Sequence, residues 1–307
     1  MMRCVRTPIA SAALDVSRPM GTADLERRTI TAIVYAVVVL AALFAPWPVF
    51  AALVAILALL AYVELRGLFR YRSYQPWTLG VLTTLAFVGA HLIDRGTGVV
   101  GLSVTGPVMV LVIVTAFGVL TIVALLAQVA RHEPTPRILG AVFTLAGSIY
   151  IGLGFGFLIR LWIANGSATR GWLGDLPVWL LLALVPTWVG DSTAYLVGSR
   201  IGRRRITPTI SPGKTWEGTL AGFAAAGVVA LLIAVSAGMK TGPALLVAVL
   251  VGPVGFGGDL FESGIKRVAG AKDSGTLFPG HGGVLDRIDS LIFVAPAVAL
   301  VLALARG

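Results

Sequence analysis

The sequence predicts an all-α integral membrane protein, a polytopic helical bundle of about nine transmembrane helices. Of its 307 residues, 57% are hydrophobic and 12% are charged, whereas soluble domains carry about 25% charged residues. Several apolar runs approach or exceed the roughly 18 residues that indicate a membrane-spanning helix. A dense charged stretch, residues 257–290, lies between two of these runs. We therefore expect one membrane domain with a polar site at its surface.

Taken in order, the chain divides into three parts. Residues 1–29 are polar and are interpreted as a cytoplasmic tail, residues 30–175 as the N-terminal transmembrane helices, and residues 176–307 as the catalytic transmembrane region. In this last region we expect two cytoplasmic loops, 200–217 and 261–288. The nine apolar spans are predicted at about 30–45, 47–64, 77–93, 106–129, 138–163, 176–199, 217–238, 241–260 and 289–305.

The basic residues predict the orientation of the chain. With the N-terminus in the cytoplasm, 19 of the 24 lysines and arginines fall in the tail or in loops on the same side. We thus expect a multi-pass protein of the cell (inner) membrane with its charged stretch facing the cytoplasm. The net charge of +10 fits contact with membrane lipids. No nucleic-acid partner is expected, because no soluble domain remains to bind one.

Four aspartates are candidate metal ligands. Asp259 ends the eighth span, and Asp286 and Asp289, three residues apart, share one face at the start of the ninth. Two antiparallel helices would bring Asp259 and Asp286 together. Asp191 lies in the sixth span, where ionisable groups are costly. Alternatively, Asp191 forms an ion pair with an arginine inside the protein. The alternative for Asp289 is an ordinary interaction with the dipole at the start of its helix. Carboxylates without cysteine or clustered histidine suit Mg²⁺.

The lysines and one glycine-rich turn predict contacts with phosphate. Lys214, Lys266 and Lys272 fall in the two densest loops and suit phosphate oxygens, with a purely topogenic charge as the alternative. Residues 211–215 end like a Walker A loop, but Pro208 replaces its required glycine and no strand is expected before it. We therefore interpret Ser211 and Lys214 as anion contacts without a P-loop fold.

Glycines mark two further features. Residues 252–258 hold Pro253 and four glycines, which predicts a broken or bent eighth helix lining a cavity. Residues 279–283 predict a turn whose backbone N–H groups point at an anion. Within it, His281 is a candidate phosphate donor or acid/base, with a solvent-exposed turn histidine as the alternative. The lone cysteine, Cys4, excludes an intramolecular disulfide.

The spacing of the charged stretch resembles the signature of the phosphatidate cytidylyltransferase (CDP-diacylglycerol synthase) family. Residues 190–195 and 211–218 look like a second block of that family. The signature is matched by Ser263, Lys266, Arg267, Lys272, Asp273, Ser274, His281, Gly282, Gly283, Asp286, Arg287 and Asp289. The resemblance covers about residues 180–290.

This resemblance implies transfer of CMP from CTP to phosphatidate with Mg²⁺, K⁺ being a candidate second ion, and a homodimer. The implied catalytic residues are Lys266, Arg267, Lys272, Asp273, His281 and Arg287. The implied substrate-binding residues are Ser211, Lys214, Ser263, Gly282 and Gly283, and the metal ligands are Asp259, Asp286, Asp289 and Asp191. His281 suits a donor better than a base, because the phosphatidate phosphate is already ionised.

Two other classes of function compete with this interpretation. A secondary transporter would place its site at the broken eighth helix, but residues 1–150 hold no charged counterpart of residues 257–290. An enzyme of related architecture, such as a CTP-dependent kinase, would act on a polyprenol or another lipid phosphate.

Overall fold

A computed structural model describes residues 37–39, 41–69, 77–93, 134–164, 176–278 and 282–306. Within them, a two-stranded antiparallel hairpin, β1 and β2, separates the fourth and fifth helices. The elements are α1 (Trp47–Leu68), α2 (Trp77–Ile93), α3 (Pro134–Ile163), α4 (Val178–Ile201), β1 (Arg205–Thr207), β2 (Ser211–Thr215), α5 (Trp216–Ser236), α6 (Thr241–Val268) and α7 (Leu285–Arg306). Residues 37–39 and 41–44 are also helical.

Six helices in the described part of the chain are long and apolar enough to cross a membrane. They cover Trp47–Leu68, Leu139–Ile163, Val178–Ile201, Trp216–Ser236, Thr241–Val268 and Leu285–Ala305. The apolar part of α2, Trp77–Gly89, is shorter. The fold is therefore mostly helical and multi-pass in character, but the predicted count of about nine is not confirmed. The predicted span 106–129 and half of the span 30–45 lie outside the described residues.

The helix α6 continues to Val268, two turns beyond its predicted end near residue 260. Its last turns are supported by pairs four residues apart, such as Glu262 and Lys266. It ends in a Schellman motif, in which Gly270 N–H donates to the Arg267 carbonyl and Ala271 N–H to the Lys266 carbonyl. Residues 261–268, predicted as loop, are thus helical. Of the predicted broken or bent helix, the break is wrong, since α6 runs as one helix through Pro253. The prediction that this stretch lines a cavity is confirmed by Gly252 and Gly255.

The hairpin corrects the all-α prediction and the expectation that no strand would precede Ser211. Backbone pairs join Arg205 to Thr215 and Thr207 to Ser211. The base is closed by Trp216 N–H donating to the Arg204 carbonyl at 2.9 Å. The Thr215 hydroxyl then accepts from Gly218 N–H and caps α5. Strands of three and five residues carry too weak a periodic pattern for sequence analysis to detect.

Small residues allow the helices to pack closely. The helix α4 packs along α5, α6 along α7, and α3 against α2 and α7. A Cβ atom on Gly258 would lie 2.7 Å from the Asp289 carbonyl oxygen, and one on Gly190 would lie 3.2 Å from the Gly222 carbonyl oxygen. Such approaches are typical of membrane helix interfaces. The Gly258 contact places the acidic ends of α6 and α7 side by side.

Candidate active site

A cavity of about 450 Å³ opens among α4, β2, α5, α6 and the start of α7. All four aspartates predicted as metal ligands line it: Asp191 from α4, Asp259 from α6, and Asp286 and Asp289 from α7. Lys214 reaches it from β2. Its apolar wall includes Pro186, Phe223, Val251 and Phe256. The structure thus brings together residues that lie almost 100 positions apart in the chain.

The hairpin delivers one cation to this cavity. Lys214 Nζ lies 2.6 Å from Asp259 Oδ2 and 4.5 Å from the centre of the Phe256 ring. The hydroxyl of Ser263, one turn further along α6, donates to Asp259 Oδ1 at 3.2 Å. Because the Lys214 side chain is 19% exposed and that of Asp259 30% exposed, the pair is accessible from the cavity.

Asp286 joins α6, α7 and the loop between them. We call residues 269–284 the site loop, of which 279–281 lie outside the described residues. Asp286 Oδ1 accepts from Lys266 Nζ at 2.6 Å. Asp286 Oδ2 accepts from Ser274 N–H at 2.8 Å, Ser274 Oγ at 2.8 Å and Gly283 N–H at 2.7 Å. Hydrogen bonds to an ionised acceptor are roughly twice as strong as neutral ones, so this carboxylate fastens the site loop.

A second buried carboxylate, Glu262, was not assigned a role from the sequence. It is fully buried, and its Oε1 lies 3.2 Å from Lys266 Nζ. Beyond this ion pair, neither carboxylate oxygen has a well-aligned hydrogen-bond donor among the described residues. Its position four residues before Lys266 on a helix was the signal available in the sequence. Lys266 therefore serves two carboxylates, Glu262 and Asp286, at once.

Negative charge exceeds positive charge at this site. Lys214 and Lys266 face five carboxylates, and no lysine or arginine of the described segments forms a salt bridge with Asp191 or Asp289. Buried carboxylates without a cation are costly unless they are neutralised or bind one.

Several predicted site residues lie away from the cavity. Arg267 is exposed, and its Nε donates to the Ile210 carbonyl at 3.0 Å and its Nη1 to the Ala271 carbonyl at 3.2 Å. It therefore braces the hairpin tip against the site loop. Lys272 and Asp273 are exposed in the site loop. Arg287 and Ser211 are also absent from the lining. Ser263 and Lys266 are absent too, but they contact the lining residues Asp259 and Asp286. His281 lies outside the described residues.

The two predicted anion-binding glycines hold a carboxylate of the chain itself. Gly283 N–H donates to Asp286. Gly282 has a φ of +79°, a conformation that only glycine adopts readily, and a Cβ atom there would collide with the Asp286 carboxylate. The Gly282 carbonyl accepts from Phe278 N–H at 2.9 Å, which closes the turn. Their binding to substrate remains a prediction.

Glu64 in α1 contacts the site loop, although sequence analysis did not select it. Its Oε1 accepts from Val284 N–H and its Oε2 from Leu285 N–H, both at 3.0 Å. Glu64 is the only acidic residue of α1, a helix whose one other charged residue is Arg66, and an ionisable group in a membrane-spanning helix is a signal of function. That signal was available, but the partner lies 220 residues away.

The donor set suits a hard divalent cation. The cavity offers carboxylate oxygens, which Mg²⁺ prefers, and Mg²⁺ usually binds one or two carboxylates together with substrate phosphates. No group of three or more acidic, histidine or cysteine side chains within the described ranges is placed to hold a metal ion. Metal binding by the four aspartates therefore remains a prediction.

Fold and site together define a multi-pass helical membrane protein with an acidic, lysine-containing cavity. Residues 26–305 match the cytidylyltransferase family. The chain belongs to that family.

Individual relatives agree with this placement. The chain is 31% identical over 280 residues to a phosphatidate cytidylyltransferase of Staphylococcus epidermidis, covering 90% of this chain and 98% of the relative. It is 38% identical over 164 residues to a phosphatidate cytidylyltransferase of Staphylococcus haemolyticus, covering 53% of this chain and 59% of the relative. It is 46% identical over 136 residues to the uncharacterized protein YnbB of Escherichia coli, covering 44% of this chain and 45% of the relative. The last two matches span about half the length of those relatives.

Proposed function

We propose that this protein is a phosphatidate cytidylyltransferase. A phosphate oxygen of phosphatidate attacks the α-phosphorus of CTP, the bond to the β-phosphate breaks, and CDP-diacylglycerol and pyrophosphate result. The observation that carries this proposal is the physical connection of the signature residues. Lys266, Ser274 and Gly283 all bond to Asp286, and Asp286 lines the same cavity as Lys214 and Asp259.

The two lysines have different roles in this reaction. Phosphoryl transfer depends mainly on positioning and on neutralising charge. Lys214 is partly exposed at the cavity, so it can exchange Asp259 for a phosphate oxygen. Lys266 is 11% exposed and sits between two carboxylates. We assign Lys214 to substrate and Lys266 to holding Asp286.

The proposed metal is Mg²⁺, with K⁺ as a candidate second ion. When bound, Mg²⁺ would polarise phosphate oxygens and offset their charge. Asp289 and Asp191 are the more available ligands, because the oxygens of Asp286 and Asp259 already have partners. For Asp286 or Asp259 to bind the ion, its contact with Lys266 or Lys214 would have to open.

The proposal includes a location and an assembly. We place the protein in the cell (inner) membrane with its cavity facing the cytoplasm, where CTP is available, and we expect a homodimer. Cysteine labelling of the exposed site loop in sealed vesicles tests the orientation. The mass of the detergent-solubilised protein tests the dimer.

The decisive experiment measures turnover of CTP by purified protein in detergent. Phosphatidate, diacylglycerol and polyprenyl phosphate are compared as acceptors, with Mg²⁺ and with a chelator. We expect pyrophosphate and a CDP-lipid with phosphatidate and Mg²⁺ alone, and loss of both products in Asp286→Asn protein that still elutes as a single species. Turnover with another acceptor only, or none despite CTP binding, would contradict the proposed substrate.

A further inference from the structure

We propose that Glu64 is a positioning residue, which holds the first turn of α7 and the site loop so that Asp286 stays in place for turnover. Its kinetic consequence rests on the proposed function, whereas the contact itself can be tested without any activity. Glu64 does not line the cavity, and it therefore acts through Asp286 rather than on a substrate.

The contact is a helix cap supplied by a different helix. The first backbone N–H groups of a helix have no partner within it. At the start of α7, Val284 N–H donates to Glu64 Oε1 and Leu285 N–H to Glu64 Oε2, both at 3.0 Å. A negative charge at this end also interacts favourably with the helix dipole. One carboxylate thus fixes two consecutive residues of the chain.

These two residues immediately precede Asp286. The Ser274 hydroxyl lies between the two carboxylates, 2.8 Å from Asp286 Oδ2 and 3.2 Å from Glu64 Oε2. Since its single proton serves one acceptor at a time, the backbone bonds from Val284 and Leu285 are the firm links to Glu64. Loss of those links would let the turn that carries Asp286 move, and it would thereby weaken the 2.6 Å hydrogen bond from Lys266 to Asp286.

The site loop is packed closely against Glu64. A Cβ atom on Gly275 would lie 2.7 Å from Glu64 Oε1 and 2.8 Å from its Cδ. The variant Gly275→Ala therefore displaces the carboxylate while leaving Glu64 itself unchanged. It provides an independent perturbation of the same contact from the opposite side.

The primary test compares Glu64→Gln with wild-type protein. Glutamine keeps the size of the side chain but turns an NH₂ donor toward a backbone N–H, so one bond is replaced by repulsion. We expect faster amide hydrogen exchange in residues 282–286 and a kcat lower by about tenfold to a hundredfold, as for loss of one bond to a charged group. The KM for CTP should change by less than about twofold, because the variant removes no interaction that binds CTP equally in the ground state and the transition state.

The variant Ser148→Ala is the matched control. It removes a buried hydroxyl whose acceptors, the Gly80 and Thr144 carbonyls, belong to α2 and α3 and not to the site loop. It should lower thermal stability without faster exchange in residues 282–286 or a lower kcat per folded molecule. The same kinetic loss in Ser148→Ala would overturn the positioning role, because any loosening of the N-terminal helices would then suffice.

The variant Gly275→Ala completes the test. It should reproduce both effects of Glu64→Gln, and the double variant should be no worse than the single ones, since both break one contact. Unchanged exchange in both variants overturns the proposal, as does faster exchange with an unchanged kcat. If wild-type protein turns over no CTP with phosphatidate, the proposed function fails, and the exchange result alone decides whether Glu64 holds the loop.

Discussion

Replacing Lys266 by methionine should destabilise the protein strongly. Its ammonium group lies 2.6 Å from Asp286 and 3.2 Å from Glu262, whose side chains are 7% and 0% exposed. Removing one member of a buried ion pair costs about 3–5 kcal/mol, because an uncompensated charge remains. Lys266→Met keeps most of the apolar stem, so packing changes little and the loss reports mainly on charge.

The same change at Lys214 is the matched comparison. Its pair with Asp259 is 19% and 30% exposed, so water can solvate the remaining carboxylate, and we expect a loss of about 1 kcal/mol or less. Unfolding in mixed micelles with increasing SDS, followed by circular dichroism, gives the free energy of unfolding of each variant. Lys266→Met should lose at least about 2 kcal/mol more than Lys214→Met.

A second substitution isolates the charge effect. Glu262→Gln in the Lys266→Met background removes the buried negative charge and should recover about 1–3 kcal/mol, a coupling typical of residues in contact. Equal losses at Lys266 and Lys214, or no recovery in the double variant, would refute the view that Lys266 neutralises two buried carboxylates.

Two further predictions concern packing and the hairpin. Gly258→Ala should lower the free energy of unfolding by about 1–3 kcal/mol, because its Cβ atom would meet the Asp289 carbonyl oxygen. A Cβ atom on Gly257 would meet only open space, so Gly257→Ala should be neutral or stabilising. The SDS assay compares the free energies of unfolding of the two variants. Equal losses would contradict the close approach of α6 and α7. Arg267→Gln should release the hairpin tip at Ile210. Because one lost hydrogen bond is worth about 1 kcal/mol, tryptic cleavage at residues 203–205 should be about fivefold faster. An unchanged cleavage rate, measured by mass spectrometry, would show that Arg267 does not brace the hairpin.

Local patterns predicted much of the catalytic half. The three-residue spacing of Asp286 and Asp289 placed both at the cavity, and the apolar runs located the described helices. The end of α6 could also have been predicted, because Lys266 and Arg267 followed by Gly270 form a helix stop signal. The many charged residues beyond residue 260 were instead interpreted as a loop.

Contacts between distant segments were not predictable in this way. Nothing in the sequence around Glu64 shows that the start of α7 lies beside it, because that proximity depends on how α1, α3 and α7 pack. Likewise, the glycines of the site loop predicted an anion, but not that the anion would be Asp286. The hairpin depends on Glu217, whose carboxylate accepts from Arg203 and Arg204 N–H groups, a tertiary anchor rather than strand propensity.

The uninterrupted course of α6 through Pro253 sets a scale of depth. With a rise of about 1.5 Å per residue, Asp259 and Lys266 are separated by roughly 10 Å along one rigid axis. Its apolar turns lie on one side of this interval and the exposed Val268 end on the other. In the proposed reaction, a substrate anchored in the bilayer and one arriving from water would have to present their phosphates at the same height along this axis. A lipid head group of a different length would miss that height, whatever its charge.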